Sequence, residues 1–212
     1  MKLYGYWRSS AAYRVRIALN LKKIPFDSLS VHLVKNGGEQ HSDSYVELNP
    51  THLVPTLVDN DIVLNQSLAI IDYLDEKYPY DSVYPQALET KVQVKAMVYD
   101  IACEIHPVNN LRVQQYLVNE LAVSEQQKLA WNHHWMALGF TAIEAKLAKT
   151  SGLYCFGNQI TLADICLVPQ VYNANRFALD MSPFPLINAI VKRCNQLPAF
   201  IDALPENQHD AA

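Results

Sequence analysis

The sequence predicts a small α/β domain followed by an all-helical domain. Over residues 1–80, short strand patterns alternate with helical ones in the order βαβ, ββ, α. From residue 87 onward, strand patterns almost vanish and long helical patterns replace them. A proline-containing segment, residues 78–85, lies between the two parts and predicts a linker. We therefore expect one domain over residues 1–80 and a second over residues 87–212.

The elements of the first domain follow from alternating patterns bounded by proline and glycine. The aromatic, apolar run Lys2–Trp7 predicts a strand, and Ser10–Lys23 predicts a helix ended by Pro25. Asn36-Gly37-Gly38 predicts a loop. The remaining elements are three strands and a helix that stops before Pro79, and they span Phe26–Leu33, Val54–Val58, Ile62–Leu64 and Gln66–Lys77.

The second domain is predicted to be helical throughout. The long pattern Ala87–Leu121 contains Pro107, so we expect a kink or break near His106. Thr161 and Asp164 have the spacing of a capping box at the start of a later helix. The remaining segments are three helices and a frayed tail, over Glu125–Lys149, Leu162–Phe177, Phe184–Gln196 and Pro205–Ala212 respectively.

The composition indicates a packed globular protein. Half of the 212 residues are apolar and 18% are charged, which favours a core over disorder. The net charge of −4 argues against general binding to nucleic acid or to an anionic membrane. No apolar run approaches the ~20 residues of a membrane span, and the first residues lack the apolar core of a signal peptide. We expect a cytoplasmic protein that binds neither nucleic acid nor membranes.

The cysteines and histidines form no metal-binding pattern. The four cysteines are far apart without a Cys-x-x-Cys pair, which predicts buried free thiols rather than a zinc or dithiol site. The adjacent residues His133 and His134 would point about 100° apart on a helix and would chelate one metal ion poorly. We therefore expect no metal cofactor.

The junction between the first strand and the first helix is the most informative segment. Arg8, Ser9 and Ser10 lie where unpaired backbone N–H groups and the positive end of a helix dipole favour an anion. That anion could be a phosphate, a thiolate or a carboxylate. N-capping of the helix is the purely structural alternative for the two serines.

A set of motifs resembles the zeta class of glutathione transferases. The block Ser9-Ser10-x-x-x-Arg-Val-Arg and the run Leu167–Val171 are specific to that class. The class has a cysteine two residues after the first serine, whereas this chain has Ala11, which puts in doubt any side activity that relies on that thiol. Motifs shared more widely complete the match in the expected order, and they are Asn49-Pro50, Val54–Leu57, Gln66–Leu74, Ile105–Pro107, Asn109-Asn110, Thr161–Asp164 and Arg176-Phe177.

The resemblance implies a glutathione transferase fold, with a thioredoxin-like α/β domain before the all-α domain, in a homodimer. It implies glutathione as the cofactor and isomerisation of maleylacetoacetate to fumarylacetoacetate in tyrosine and phenylalanine catabolism. The implied mechanism is thiolate addition to the cis double bond, rotation and elimination. Maleylpyruvate isomerisation uses the same chemistry and remains open, as does general transferase activity.

The resemblance also assigns glutathione-binding residues. Ser9 is the first choice for the hydroxyl that stabilises the thiolate, and Ser10 is the second. Val54-Pro55 resembles a cis-proline turn that presents the Val54 backbone to the cysteinyl part of glutathione. Gln66 and Asn110 are also assigned to glutathione. Ser67, Gln40 and His106 complete the set, and their respective structural alternatives are an N-cap, a solvated loop residue and a structural histidine.

The diacid substrate implied by the resemblance needs cationic groups, and arginine binds a carboxylate with both arms of its planar fork. Arg176 is the strongest candidate for binding a substrate carboxylate and for stabilising the transition state. Arg8 lies next to the predicted thiolate site. Arg112 is a weaker candidate, with a solvated helix face as the alternative, and Asn109 is a further candidate within a helical turn of His106.

Two other functional classes fit the sequence less well. A non-catalytic binding module of this fold tends to lose the thiol-activating residue, whereas this chain retains Ser9, Ser10, Val54-Pro55 and Gln66-Ser67. A thiol–disulfide oxidoreductase needs a cysteine between positions 9 and 12, where this chain has none.

Overall fold

The computed structural model describes residues 1–211 and divides into two compact units. The first unit comprises Met1–Val83 together with the residues from Gln196 onward, and the second comprises Tyr84–Asn195. The first boundary falls inside the segment predicted as a linker. The C-terminal segment, in contrast, groups with the first unit and not with the helical domain in which we expected it.

A four-stranded mixed sheet forms the centre of the first unit. Its order is β2-β1-β3-β4, with β1 parallel to β2 and antiparallel to β3, and with β3 and β4 forming a hairpin. Leu3 of β1 lies opposite Leu57 of β3, and both side chains are buried, so alternation on these strands supplies one face of the core. The strands span Lys2–Gly5 (β1), Asp27–Ser30 (β2), Thr56–Asp59 (β3) and Ile62–Asn65 (β4).

Helices α1 (Ser10–Leu21) and α3 (Ser67–Lys77) pack against each other. The larger apolar residues that they bury are Tyr13, Val15, Ile17, Leu19, Ile70, Ile71 and Leu74. The predicted strands and helices of this unit are all present, with slightly different ends. Between β2 and β3 the structure adds α2 (Asp43–Leu48) and two 3₁₀ turns, Lys35–Gly37 and Glu39–His41, which the sequence analysis missed. Each of these elements has six residues or fewer, too few for a helical period to show in the sequence.

The C-terminal segment is anchored, so the expectation of a frayed tail is wrong. It contains α9 (Pro198–Ile201) and a 3₁₀ turn over Pro205–Asn207. Arg16 Nε donates to the carbonyl oxygen of Ala203 at 3.1 Å, and the Trp7 N–H donates to Asp210 Oδ2 at 3.2 Å. Such long-range contacts leave no periodic signal in the sequence.

The second unit is helical, as predicted. The expected break near His106 takes the form of a π-helical turn, Asp100–Ile105, followed by a 3₁₀ turn, Pro107–Asn109. The Asp164 carboxylate accepts the Thr161 N–H at 2.8 Å, which is the bond that the N3 side chain makes in the predicted box, and it also accepts the Thr161 hydroxyl at 3.0 Å. The helices span Leu88–Tyr99 (α4), Leu111–Asn119 (α5), Glu125–Thr150 (α6), Leu162–Arg176 (α7) and Pro185–Cys194 (α8).

Two further sequence expectations can be compared with the structure. All four cysteines are free thiols, and Cys103 is exposed whereas the other three are buried. Burial raises the pKa of the Cys155 thiol well above its ordinary value, so this thiol is unreactive. Among the helices of residues 1–211, none combines the length and apolar composition needed to cross a membrane.

Candidate functional site

The start of α1 presents a serine hydroxyl to solvent. Ser9 is the N-cap residue, and its Oγ accepts the N–H of Ala12 at 3.2 Å. Because capping uses only one lone pair of the Ser9 oxygen, the hydroxyl proton is still able to donate a hydrogen bond to a ligand. Ser9 is half-buried, whereas Ser10 lies in the first helical turn and is 7% exposed. This difference in exposure favours Ser9 over Ser10 as the donor, as the sequence analysis expected.

The start of α3 forms a second anion-binding feature. Gln66 is its N-cap residue, and the Gln66 side chain accepts none of the first N–H groups of the helix. The buried guanidinium of Arg14 donates from Nη1 to Ser67 Oγ at 3.3 Å. A carboxylate at this position would meet the helix dipole, a hydroxyl and a cation together. Arg14, the first arginine of the class-specific block, thus lies beside Ser67 in the structure.

The backbone of Gln66 is a further sign of a binding site. Its φ of 66° lies in the left-handed region, although it is not a glycine. Such conformations cost of order 1–3 kcal/mol and concentrate at ligand sites. The sequence offers no signal for this conformation, because glutamine has no particular preference for it.

The loop before β3 leaves a backbone strand edge unpaired. The Val54–Pro55 peptide bond is cis, as the resemblance implies. Within residues 1–211, no backbone hydrogen bond uses the N–H or C=O of Val54. Those two groups are therefore available to an extended peptide ligand.

A buried polar network holds this loop in place. The Tyr45 hydroxyl lies 2.6 Å from the Leu53 carbonyl oxygen and 2.9 Å from Thr56 Oγ1. Asn49 Nδ2 donates to the same two oxygens at 2.8 and 3.0 Å, and its Oδ1 accepts from Asn65 Nδ2 at 3.1 Å. Burial raises the pKa of Tyr45, which keeps its phenol protonated. Sequence reasoning noted Asn49 only as part of a motif and missed Tyr45.

Gln40 lies in the 3₁₀ turn that precedes α2. Its side chain is buried, and Nε2 donates to the Leu33 carbonyl oxygen at 3.3 Å. The second N–H of that amide is still available to a carboxylate. The backbone of Gly38, at a φ of 102°, passes so close to the Gln40 side chain that a Cβ at this position would collide with the amide.

Arg8 is held by two aromatic neighbours. Its guanidinium carbon lies 4.5 Å from the centre of the Trp7 ring, and Nε and Nη2 donate to the Tyr6 hydroxyl at 3.3 and 2.9 Å. Among residues 1–211, Arg8 forms no ion pair. A half-buried cation without a counter-charge is suited to an anionic ligand.

In the second unit, Asn109 and Asn110 are both engaged in structural bonds. Asn109 is 3% exposed, donates to the Ile105 carbonyl oxygen at 2.7 Å and accepts from Asn173 Nδ2 at 2.9 Å. These contacts favour a structural role over the substrate contact we expected for Asn109. The Asn110 side chain caps α5 by accepting the Arg112 N–H at 3.1 Å.

The remaining candidates of the second unit differ in exposure. His106 is half-buried between the π-helical turn and the 3₁₀ turn, and Arg112 is exposed on α5. Arg176 is the last residue of α7 and is exposed, with its guanidinium carbon 4.8 Å from the Phe177 ring centre. His133, whose Nε2 lies 2.7 Å from the Phe177 carbonyl oxygen, has a structural partner.

Comparisons with known proteins agree with these features. Family models for the N-terminal and C-terminal domains of glutathione S-transferase match residues 3–85 and 133–198. A protein of Vibrio cholerae serotype O1 (strain ATCC 39315 / El Tor Inaba N16961), described as a probable maleylacetoacetate isomerase, is 55% identical over 209 residues. The match spans 99% of this chain and 97% of that protein.

Solved structures extend the likeness to the whole fold. The holo structure of a maleylpyruvate isomerase, described as a bacterial glutathione S-transferase in the zeta class, has a TM-score of 0.97, 44% identity and full coverage of both chains. A maleylacetoacetate isomerase from Methylobacterium extorquens AM1, with malonate and GSH bound, has a TM-score of 0.94 and 31% identity, again over both chains completely. The resemblance drawn from the motifs is thus confirmed, and the chain belongs to the zeta class of the glutathione transferase family.

Proposed function

We propose that this protein is a glutathione-dependent isomerase that converts maleylacetoacetate to fumarylacetoacetate. The observation that carries the proposal is the Ser9 hydroxyl, which caps α1 with a lone pair and keeps its proton for a thiolate. The 55% identity to a probable maleylacetoacetate isomerase supports this choice of substrate.

The residues of the first unit fit glutathione. The start of α3, with Ser67 and Arg14, suits the γ-glutamyl carboxylate, and the unpaired Val54 backbone suits the cysteinyl residue. Gln40 is positioned to donate to the glycyl carboxylate. We assign four further residues to glutathione binding by family membership, and they are Pro55, Gln66, His106 and Asn110.

When bound, glutathione supplies a thiolate whose reversible addition to the cis double bond permits rotation to the trans isomer. The Ser9 hydroxyl donates a hydrogen bond to that sulfur. A hydrogen bond to the charged form lowers a thiol's pKa, and the first turn of α1, which includes Ser10, adds the favourable dipole. The protein therefore raises the thiolate fraction at neutral pH without using a cysteine of its own.

We assign the substrate carboxylates to arginines. Arg8 is a half-buried cation without an ion-pair partner in residues 1–211, and Arg176 is exposed at the end of α7. Positive charge near the developing oxyanion would also stabilise the transition state, which is the catalytic role we give to Arg176. Arg112 is a secondary candidate on α5. Asn109 bonds to Ile105 and to Asn173, so we assign it a structural role beside the substrate ligands.

Maleylpyruvate isomerisation is the second candidate function. The structural likeness to a maleylpyruvate isomerase, at a TM-score of 0.97, specifically favours it. Both substrates are cis-configured diacids handled by the same chemistry. The ratio of kcat/KM for the two substrates, measured on one enzyme preparation, distinguishes these functions.

We further propose that the protein is a cytoplasmic homodimer. Helix α4 carries three large apolar side chains, Leu88, Val92 and Tyr99, each about half exposed or more. Exposed apolar faces of this kind mark association surfaces, and homo-oligomers of two-fold symmetry are the commonest. Light scattering on the purified protein tests this, and a mass of about one 24.0 kDa chain would contradict it.

The decisive experiment on the function is a Ser9→Ala variant assayed with maleylacetoacetate and glutathione. Loss of one preorganised donor to a developing charge costs about 10²-fold in rate, so we expect kcat/KM to fall by about that factor. Near-normal kcat/KM would move the thiolate-stabilising role to Ser10. Absence of glutathione-dependent isomerisation by the unmodified protein, with either substrate, would refute the proposed function.

Ser124→Ala is the matched control. Ser124 caps α6 by accepting the Gln127 N–H at 3.3 Å, much as Ser9 caps α1. Loss of either cap lowers the free energy of unfolding by about 1 kcal/mol. Only the Ser9 variant should lose activity.

A further inference from the structure

Arg8 is fixed by neutral groups alone. Its Nε and Nη2 atoms donate to one acceptor, the Tyr6 hydroxyl, and its guanidinium carbon lies over the Trp7 ring, 4.5 Å from the ring centre. No carboxylate among residues 1–211 pairs with it. The side chain is therefore ordered without its charge being neutralised, so that it keeps the full attraction for an anion.

The two bonds to Tyr6 also decide which donors remain. A guanidinium has five N–H groups, of which Tyr6 takes one from Nε and one from Nη2. The pair of N–H groups along the Nη1–Nη2 edge is left over. That edge is one of the two that bind a carboxylate through two parallel hydrogen bonds.

Tyr6 is itself closely packed. It is 4% exposed and belongs to a buried cluster with Trp7, Val31, Tyr45 and Val54. The centres of its ring and of the His32 imidazole lie 4.8 Å apart in an edge-on arrangement. Because the ring is enclosed in this way, its hydroxyl can anchor the Arg8 guanidinium in one orientation.

The backbone of Trp7 is also held by hydrogen bonds. Arg16 Nη2 donates to the Trp7 carbonyl oxygen at 3.0 Å, and the Trp7 N–H donates to Asp210 at 3.2 Å. Trp7 therefore keeps its place under Arg8.

We propose that Tyr6 is a positioning residue for the diacid substrate. Its hydroxyl holds the Arg8 guanidinium over Trp7, so that the Nη1–Nη2 edge is already oriented for a carboxylate before the substrate binds. This rests on the proposed function for the identity of the substrate but not for the anchoring of Arg8. Preorganisation of this kind strengthens binding because the side chain loses no freedom when the ligand arrives.

The test is a Tyr6→Phe variant, which keeps the packed ring and removes only the hydroxyl. Binding of malonate, a small dicarboxylate, is measured by calorimetry at saturating glutathione, together with KM for maleylacetoacetate and for glutathione. We expect the malonate Kd and the diacid KM to rise about 5- to 10-fold, by the loss of a hydrogen bond to a charged group, with the glutathione KM unchanged. The Tyr4→Phe variant is the control, because Tyr4 lies on β1, two residues before Tyr6, and its hydroxyl makes no hydrogen bond within residues 1–211.

A double-mutant cycle separates positioning from a general structural effect. In an Arg8→Ala background, Tyr6→Phe should change the malonate Kd no further, because Tyr6 acts through Arg8. Additive effects, or an unchanged Kd for Tyr6→Phe alone, would overturn the proposal. Weaker malonate binding by Tyr6→Phe, in a protein that isomerises neither diacid, would support the positioning role while refuting the proposed function.

Discussion

At the scale of the residue, Gly38 permits a close approach to the Gln40 side chain, which we propose as a glutathione ligand. Gly38 has a φ of 102°, and a Cβ added there would lie 2.4 Å from Gln40 Nε2. The neighbouring Gly37 also has a positive φ, of 82°, but a Cβ there would meet nothing within 4 Å. The two glycines thus share a backbone requirement and differ only in the contact with Gln40.

This difference yields a prediction. Both Gly38→Ala and Gly37→Ala should lose about 1–2 kcal/mol of unfolding free energy, because an L-residue is strained at positive φ. Only Gly38→Ala should also raise KM for glutathione, several-fold, because its methyl group displaces the Gln40 amide. Denaturant unfolding and steady-state kinetics measure the two effects. Equal glutathione KM values for the two variants would remove Gln40 from the cofactor site.

At the scale of the element, the π-helical turn Asp100–Ile105 depends on a close approach by α6. Gly139 of α6 lies so near that an added Cβ would be 2.3 Å from Ile105 Cδ1 and 2.4 Å from its Cγ1. Ile105 is buried and β-branched, so it has little freedom to move aside. Immediately after this turn comes His106, a candidate glutathione ligand, so the packing of α6 bears on its position.

Two effects oppose each other in a Gly139→Ala variant. Alanine favours a helix by about 1 kcal/mol over glycine, whereas overpacking costs about 1–3 kcal/mol. Because the clash is severe, we expect net destabilisation in denaturant unfolding. An Ile105→Ala substitution removes both clashing atoms, so the double variant should be less destabilised than the sum of the single variants. Full additivity would show that the contact is not limiting.

At the scale of the whole molecule, a buried ion pair ties α1 to the end of α3 and the following segment. Lys22 is fully buried, pairs with Asp75 at 2.8 Å and donates to the Tyr78 and Tyr80 carbonyl oxygens at 2.8 and 3.0 Å. Asp75 also accepts hydrogen bonds from Ser82 and Val83. The pair therefore fixes the chain just before it enters the second unit.

The pKa of Asp75 gives this pair a defined pH dependence. Burial on its own would raise that pKa, but the hydrogen bonds from Lys22, Ser82 and Val83 outweigh burial and hold it below the ordinary 3.8. A carboxyl with a lowered folded-state pKa stabilises the fold above its unfolded-state pKa, and the contribution disappears as the pH falls through the folded value. Stability from this pair should thus be constant near neutrality and decline below about pH 4.

An Asp75→Ala variant tests this dependence. Removing one partner of a buried pair costs about 3–5 kcal/mol, because the other charge stays buried. We expect a loss of that order at pH 7 and a smaller one at pH 3, both by urea unfolding. The exposed Asp61→Ala variant is the control and should differ little from the unmodified protein at either pH. A loss of equal size at both pH values would contradict the assigned pKa.

Local features of this protein were predictable from its sequence because short segments determine them. Ser9 as the cap of α1 follows from a strand-to-helix junction, and the Thr161–Asp164 box and the break near His106 follow from cap spacing and a proline. The two-part architecture follows from the change in hydrophobic period near residue 80. Family membership followed from motifs of the same local kind.

Contacts between distant residues were decided only by the tertiary structure. Arg14 beside Ser67, and Arg16 beside Ala203, join positions 53 and 187 residues apart. The bonds of Asn109 to Ile105 and Asn173 likewise gave it a structural role that its motif did not disclose. Periodicity and capping record how a segment folds on itself, whereas the partner of a buried polar group depends on which segments pack together. For that reason the sequence predicts Ser9 as the donor at the proposed thiolate site, whereas only the structure shows that Arg14 lies beside Ser67 and that the Tyr6 hydroxyl holds Arg8.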